Sequence, residues 1–227
     1  MNYPLSAGAR ARYPRAMDTP RTGTLVAAAL GLVIAGGVGY GLHQQVKKRA
    51  EERAVVSVVT ETTAQLRDVL KRPSPQVAEK IDGNLRVARS WSNAYMADAA
   101  EHYLIGAREI AKKRADAARH AQAFAASRAA LAAHMRRAAQ RDSSWIRTAS
   151  RLKKQVEQDH FYLESSLNAL AELLQSLPEA QKRLAPYVEA SLTLDDAARR
   201  QARQRALDEA KRAALDLERA RTLTPRF

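Results

Sequence analysis

The chain has 227 residues, with 38 Lys and Arg against 24 Asp and Glu, a formal charge of +14 and no cysteine. This length suits one soluble domain of ordinary size plus an anchor and excludes two large cores, while the missing cysteine excludes disulfides, thiolate metal sites and cysteine nucleophiles. With 5% aromatic residues and nine glycines, and with Ala, Arg, Leu, Glu and Gln dominant after residue 43, the composition predicts helices joined by thin, alanine-lined seams and not a core of large rings.

Residues 1–21 form a basic N-terminal tail carrying Arg10, Arg12, Arg15 and Arg21 with Asp18 as its one acid. The tail resembles a mitochondrial presequence in composition, although Pro4, Pro14 and Pro20 oppose the amphipathic helix such a leader needs. Residues 22–42 follow without a charge and match the roughly 20 apolar residues that cross a hydrocarbon core, so they read as a transmembrane helix. Six of the nine glycines fall here. They would weaken a helix in water but are common in membrane spans. Gly23, Ala27, Gly31, Ala35 and Gly39 recur every fourth residue and predict a packing face for the helices of other membrane subunits. A plain anchor without such a face is the competing reading. A cleaved signal peptide is a further alternative, weakened by the length of the apolar stretch and the lack of an A-x-A site at its end.

Four basic residues precede the span, and Lys47, Lys48, Arg49 and Arg53 follow it, so the positive-inside rule assigns no side. The second group reads as a contact with lipid head groups. A bacterial inner membrane is the favoured location, with the mitochondrial inner membrane as the alternative.

Residues 43–72 carry Val56, Val59, Thr63, Leu66 and Leu70 at helical spacing and predict a juxtamembrane helix. Pro73-Ser74-Pro75 breaks it, and Asp82-Gly83-Asn84 is a second, weaker turn signal. Residues 73–177 then read as a long helical hairpin. Met96, Tyr103, Ile110, Ala117, Phe124, Leu131 and Ala138 stand seven apart, as in a coiled-coil seam. Their companion positions alternate Ala100, Ala107 and Ala121 with Arg114 and Arg128, ending on Met135. Trp145, Ala149, Leu152, Val156, His160, Leu163, Leu167, Leu170, Leu174 and Leu177 make the strongest amphipathic stripe. Between the two stripes, Arg141-Asp142-Ser143-Ser144 offers an N-cap, which folds a basic arm, ending at about 141, back on an acidic arm starting at about 145. Residues 108–154 hold thirteen basic and three acidic residues, whereas 155–192 hold six acidic and two basic, so the arms are expected to attract each other. One unbroken arm is the rival reading. In 178–227, Pro178 and Pro186 interrupt the chain and Thr193 caps a last helix with Asp195 and Asp196 in its first turn. That helix runs to about Thr222 over Ala206, Ala210, Ala213 and Leu217, before a frayed tail.

The fold class is therefore all-α: a single N-terminal transmembrane helix, then long amphipathic helices in a hairpin or small bundle with coiled-coil character. Glu157-x-x-His160 has the spacing of one half of a di-iron site, but the second such pair is missing, and His160 reads as a seam histidine. Asp98 and His102 read as a surface pair one turn apart. No nucleophile elbow, zinc helix, P-loop or dinucleotide fingerprint occurs, so neither catalysis nor a cofactor is expected. Lys112, Lys113, Arg114, Arg136 and Arg137 are the candidate contacts with an acidic protein surface. Nucleic acid is disfavoured because aromatics that would stack bases are sparse. The expected function is a non-enzymatic membrane scaffold or assembly subunit of a larger complex. The alternatives are an anchored sensor with a pocket among Trp91, Tyr95, Tyr103 and Trp145, and a membrane tether for nucleic acid.

Overall fold

The computed structural model describes residues 22–137 and 142–222, with side chains from residue 43 onward. Five α-helices and one short 3₁₀ turn are present, and no strand occurs among the described residues. They are α1 (Thr22–Lys71), α2 (Gln76–Arg89), α3 (Ala94–Arg136), α4 (Ser143–Leu184), the turn Ala190–Leu192 and α5 (Asp196–Thr222). The chain divides into two compact units, Met1–Lys47 and Lys48–Phe227. Among the described residues no helix is long and apolar enough to cross a membrane. The backbone of 22–42 belongs to α1, but its side chains lie outside the described residues, and with them the expected packing face of Gly23, Ala27, Gly31, Ala35 and Gly39.

Within the second unit the helices share one continuous core, from Val55, Val59, Leu66 and Val69 of α1 to Leu217 and Ala220 of α5. The heptad residues Met96, Tyr103, Ile110, Ala117, Phe124 and Leu131 are all buried. So is the α4 stripe, with Leu152 partly covered; Ala138 lies outside the described residues. The α3 helix ends at Arg136, and the Asp142 carboxylate accepts from the Trp145 backbone N–H at 2.7 Å to start α4. Pro73-Ser74-Pro75 separates α1 from α2 as expected.

Four expectations are corrected. Asp82-Gly83-Asn84 is helical, because Ile81 and Leu85 are buried on either side. Asn84 Nδ2 also donates to Thr62 Oγ1 of α1, and Arg108 of α3 holds Asp82. The basic arm, from residue 73 to about 141, is not one helix: it is broken at Ser90 to Asn93, where Asn93 caps α3 by accepting from the Met96 N–H. Pro178 does not end the hairpin arm. The α4 helix continues to Leu184, and the Leu174 carbonyl, deprived of its usual donor, accepts from Arg199. Asp195, not Thr193, caps α5, accepting from the Ala198 N–H at 2.7 Å. Thr193 is buried and bonded to Gln181 and the Ala190 carbonyl.

The connection from α4 to α5 is fastened by polar contacts. Gln181 Nε2 donates to Thr193 Oγ1 and the Leu194 carbonyl, and Arg67 of α1 donates to the Thr193 carbonyl. Beneath it the Tyr103 and Thr63 hydroxyls bond at 2.7 Å in a fully buried setting. Burial raises the Tyr103 phenol above its ordinary value, against the lowering effects of the Thr63 bond, the Leu194 backbone and the Arg67 charge.

Candidate functional site

The α3–α4 hairpin carries a strongly basic stretch of the sequence. Between residues 117 and 154 the sequence places nine basic residues against the single acid Asp142. Asp142 is committed to the cap: the Trp145 backbone N–H and the Ser144 hydroxyl hold its carboxyl below the usual value. The last turn of α3 is joined to the first turn of α4, since the His134 and Trp145 rings stack with centroids 5.1 Å apart and His134 Nε2 donates to the Trp145 carbonyl at 3.1 Å.

The attraction between basic and acidic arms does not form as the charge blocks suggest. Helical periodicity turns Arg114 and Arg128 toward α5, where they pair with Glu209 and Asp216. Arg128 also lies over the Phe124 ring at 5.3 Å. Arg108 pairs with Asp82 and Glu109, and the acidic arm's Glu157 meets Arg221 of α5. Thus α2 and α5 supply the carboxylates that pair Arg108, Arg114 and Arg128 of α3, and α5 also takes up Glu157 of α4. Among the described residues no carboxylate pairs with Arg136, Arg137, Arg147, Arg151, Lys153 or Lys154. All six but Lys153 are exposed.

The five residues expected to contact an acidic partner are therefore not one site. Arg114 is occupied by Glu209. Lys112 and Lys113 lie on α3 with Arg114, about 33 Å along the helix from Arg136 and Arg137 at 1.5 Å per residue. Arg147, Arg151, Lys153 and Lys154 stand on the first turns of α4, the helix that returns from the hairpin tip. Block counting along the sequence registers their charge, but it does not register which cations stay free. That depends on where α5 docks.

Lys47, Lys48, Arg49 and Arg53 are exposed on α1. Arg49 and Arg53 line a shallow cleft with Glu52, Val56, Pro186 and Tyr187. The aromatic residues considered as a pocket do not converge. Tyr103 is sealed in the core, Tyr95 is 82% exposed, and Trp91 and Trp145 lie at opposite ends of α3, a helix of 43 residues spanning about 65 Å.

The histidines serve helix contacts. His120 Nδ1 lies 3.0 Å from Ser166 Oγ, and His102 Nδ1 lies 2.8 Å from the Asp98 carbonyl. His160 packs edge-on against Phe124, with Nδ1 3.7 Å from Glu164. No group of three metal-ligating side chains occurs among the described residues. Comparison with family models, curated proteins and solved structures gives no match.

Proposed function

We propose that this chain is a non-enzymatic, membrane-anchored helical scaffold, an assembly subunit that holds an acidic protein partner away from a bilayer. The observation that carries this reading is the hairpin tip, where six cations lack a carboxylate partner among the described residues at the far end of a 43-residue helix. Long-range attraction of an acidic surface is what such a patch supplies. Anchoring rests on the sequence of residues 22–42, which is uncharged and of spanning length. Its small-residue face fits other membrane helices. A bacterial inner membrane is the proposed location, with the mitochondrial inner membrane as the alternative.

Crosslinking and mass spectrometry on native membranes test the proposal, beside purification in mild detergent. The expected result is a stable larger assembly with crosslinks from Lys153 and Lys154 to acidic segments of a neighbour. These crosslinks should vanish in R136E/R137E/R151E while the assembly formed through the span persists. Recovery of a free monomer without crosslinked neighbours overturns the scaffold. Capture of nucleic acid, weakened steeply by salt, would instead make the tip a phosphate-binding surface.

A further inference from the structure

The end of the bundle opposite the tip brings together aromatic and basic side chains from three separate stretches of chain. Glu51 of α1 accepts from the Ser92 backbone N–H at 3.0 Å, the Ser92 hydroxyl at 2.6 Å and the Asn93 N–H at 3.3 Å. It thereby pins the α2–α3 connection, with Trp91 half-buried and Tyr95 exposed, beside the first turns of the second unit. Pro186 and Tyr187, from the end of α4, reach the same turns and line the cleft with Arg49 and Arg53.

The solvation of Tyr95 calls for a reason. A ring 82% exposed at a helix start gains nothing from the core, whereas Trp and Tyr are favoured at the level of lipid head groups, with the ring in the interface and the polar atom wet. The local charge agrees. Arg49 and Arg53 line the cleft, with Glu52 as the carboxylate beside them, Glu51 engaged by the connection and Lys48 exposed next in sequence. In the sequence, Lys48, the first residue of this unit, follows the proposed span by six residues.

We infer that this end of the bundle is a lipid-contacting collar, in which Trp91, Tyr95 and Tyr187 sit at head-group level and Arg49 and Arg53 engage the phosphates of anionic phospholipid. The inference rests on the membrane-anchor reading. It goes beyond that reading by assigning lipid contact to connections 40 and more residues away from the span.

Trp91 and Trp145, one at each end of α3, are the two tryptophans of the chain, so the molecule carries its own pair of probes. The full chain is reconstituted in vesicles of phosphatidylcholine with a quarter phosphatidylglycerol, with and without lipid bearing a head-group nitroxide. In W145F, where Trp91 alone emits, the nitroxide should remove the larger part of the emission. In W91F, where Trp145 alone emits, it should remove little. R49Q/R53Q should weaken Trp91 quenching, and more so in anionic than in purely zwitterionic vesicles.

Should either tryptophan variant fold poorly, the absence of cysteine allows a polarity-sensitive dye on Y95C, with R137C as the distal control. A blue shift confined to Y95C is the expected result. Flotation of the vesicles separates the two ideas. A chain that floats with Trp91 unquenched, or with unshifted Y95C dye, overturns the collar and leaves the anchor standing, whereas a chain that does not float overturns both.

Discussion

Arg199 Nη1 of α5 donates to the backbone carbonyl of Leu174 at 3.3 Å, the acceptor that Pro178 leaves without an intrahelical donor. A side chain on the neighbouring helix thus replaces the hydrogen bond that proline removes. Arg199 is held there by Asp196, whose carboxyl this bond and the guanidinium charge lower in pKa. Removing the arginine strands a buried acceptor. R199A is expected to lose about 1–3 kcal/mol in urea unfolding. P178A in the R199A background returns a backbone N–H to α4 and should recover much of that loss, whereas D196A should change little. Equal losses for R199A with and without P178A would show that the carbonyl is not the reason for the arginine.

The break between α2 and α3 is made by a residue from another helix. Asn93 caps α3 through the Met96 N–H, and Glu51 accepts from both residues before it. N93A is expected to cost about 1 kcal/mol, the usual effect of removing an N-cap side chain. E51A should speed amide exchange at Ser92 and Asn93 while leaving the Met96 amide protected. Unchanged exchange at Ser92 would show that Glu51 is a bystander.

These two devices mark the limit of what the sequence displays. Met96, Tyr103, Ile110, Phe124 and Leu131 were legible as a seam because burial follows the helical period, and Asp142 was legible because an N-cap is local chemistry. Ser90 to Asn93 contains neither Gly nor Pro, and what stabilises an interruption there is a carboxylate some 40 residues away. Pro178 reads as a break until Arg199 is placed. The candidate tip divides in the same way. Its excess of positive charge is a matter of counting, but Arg114 and Arg128 leave the pool of free cations only because α5 lies against that face of α3.

His160 occupies a position on the α4 stripe where every neighbour in the pattern is apolar. It is buried with Nε2 lacking a hydrogen-bond partner among the described residues. Its other nitrogen stands 3.7 Å from Glu164, too long for a good hydrogen bond. Replacing a buried polar group that is not fully satisfied by an apolar one of similar size removes its desolvation cost. H160L is therefore expected to raise stability by about 1 kcal/mol in denaturant unfolding, with the α3–α4 packing around Phe124 retained. A destabilised H160L would mean that the ring makes a contact through Nε2 that its surroundings do not display.

The buried bond between Thr63 and Tyr103 ties α1 to α3 and makes a pH-dependent contribution whose sign follows from the phenol. Burial raises the folded Tyr103 pKa above its ordinary value of 10.0. The unfolded chain therefore releases this proton at a lower pH than the folded one. The associated stability is present below about pH 10 and is lost as pH rises through the folded value, because the anion is favoured only when the ring is in water. Y103F should cost about 1–3 kcal/mol at neutral pH, since the Thr63 hydroxyl is left buried without its partner. The double variant T63V/Y103F should recover part of that loss. Wild type should lose stability relative to Y103F as the pH is raised above 10. Parallel stability curves for the two proteins over that range would remove Tyr103 as the alkaline-sensitive group.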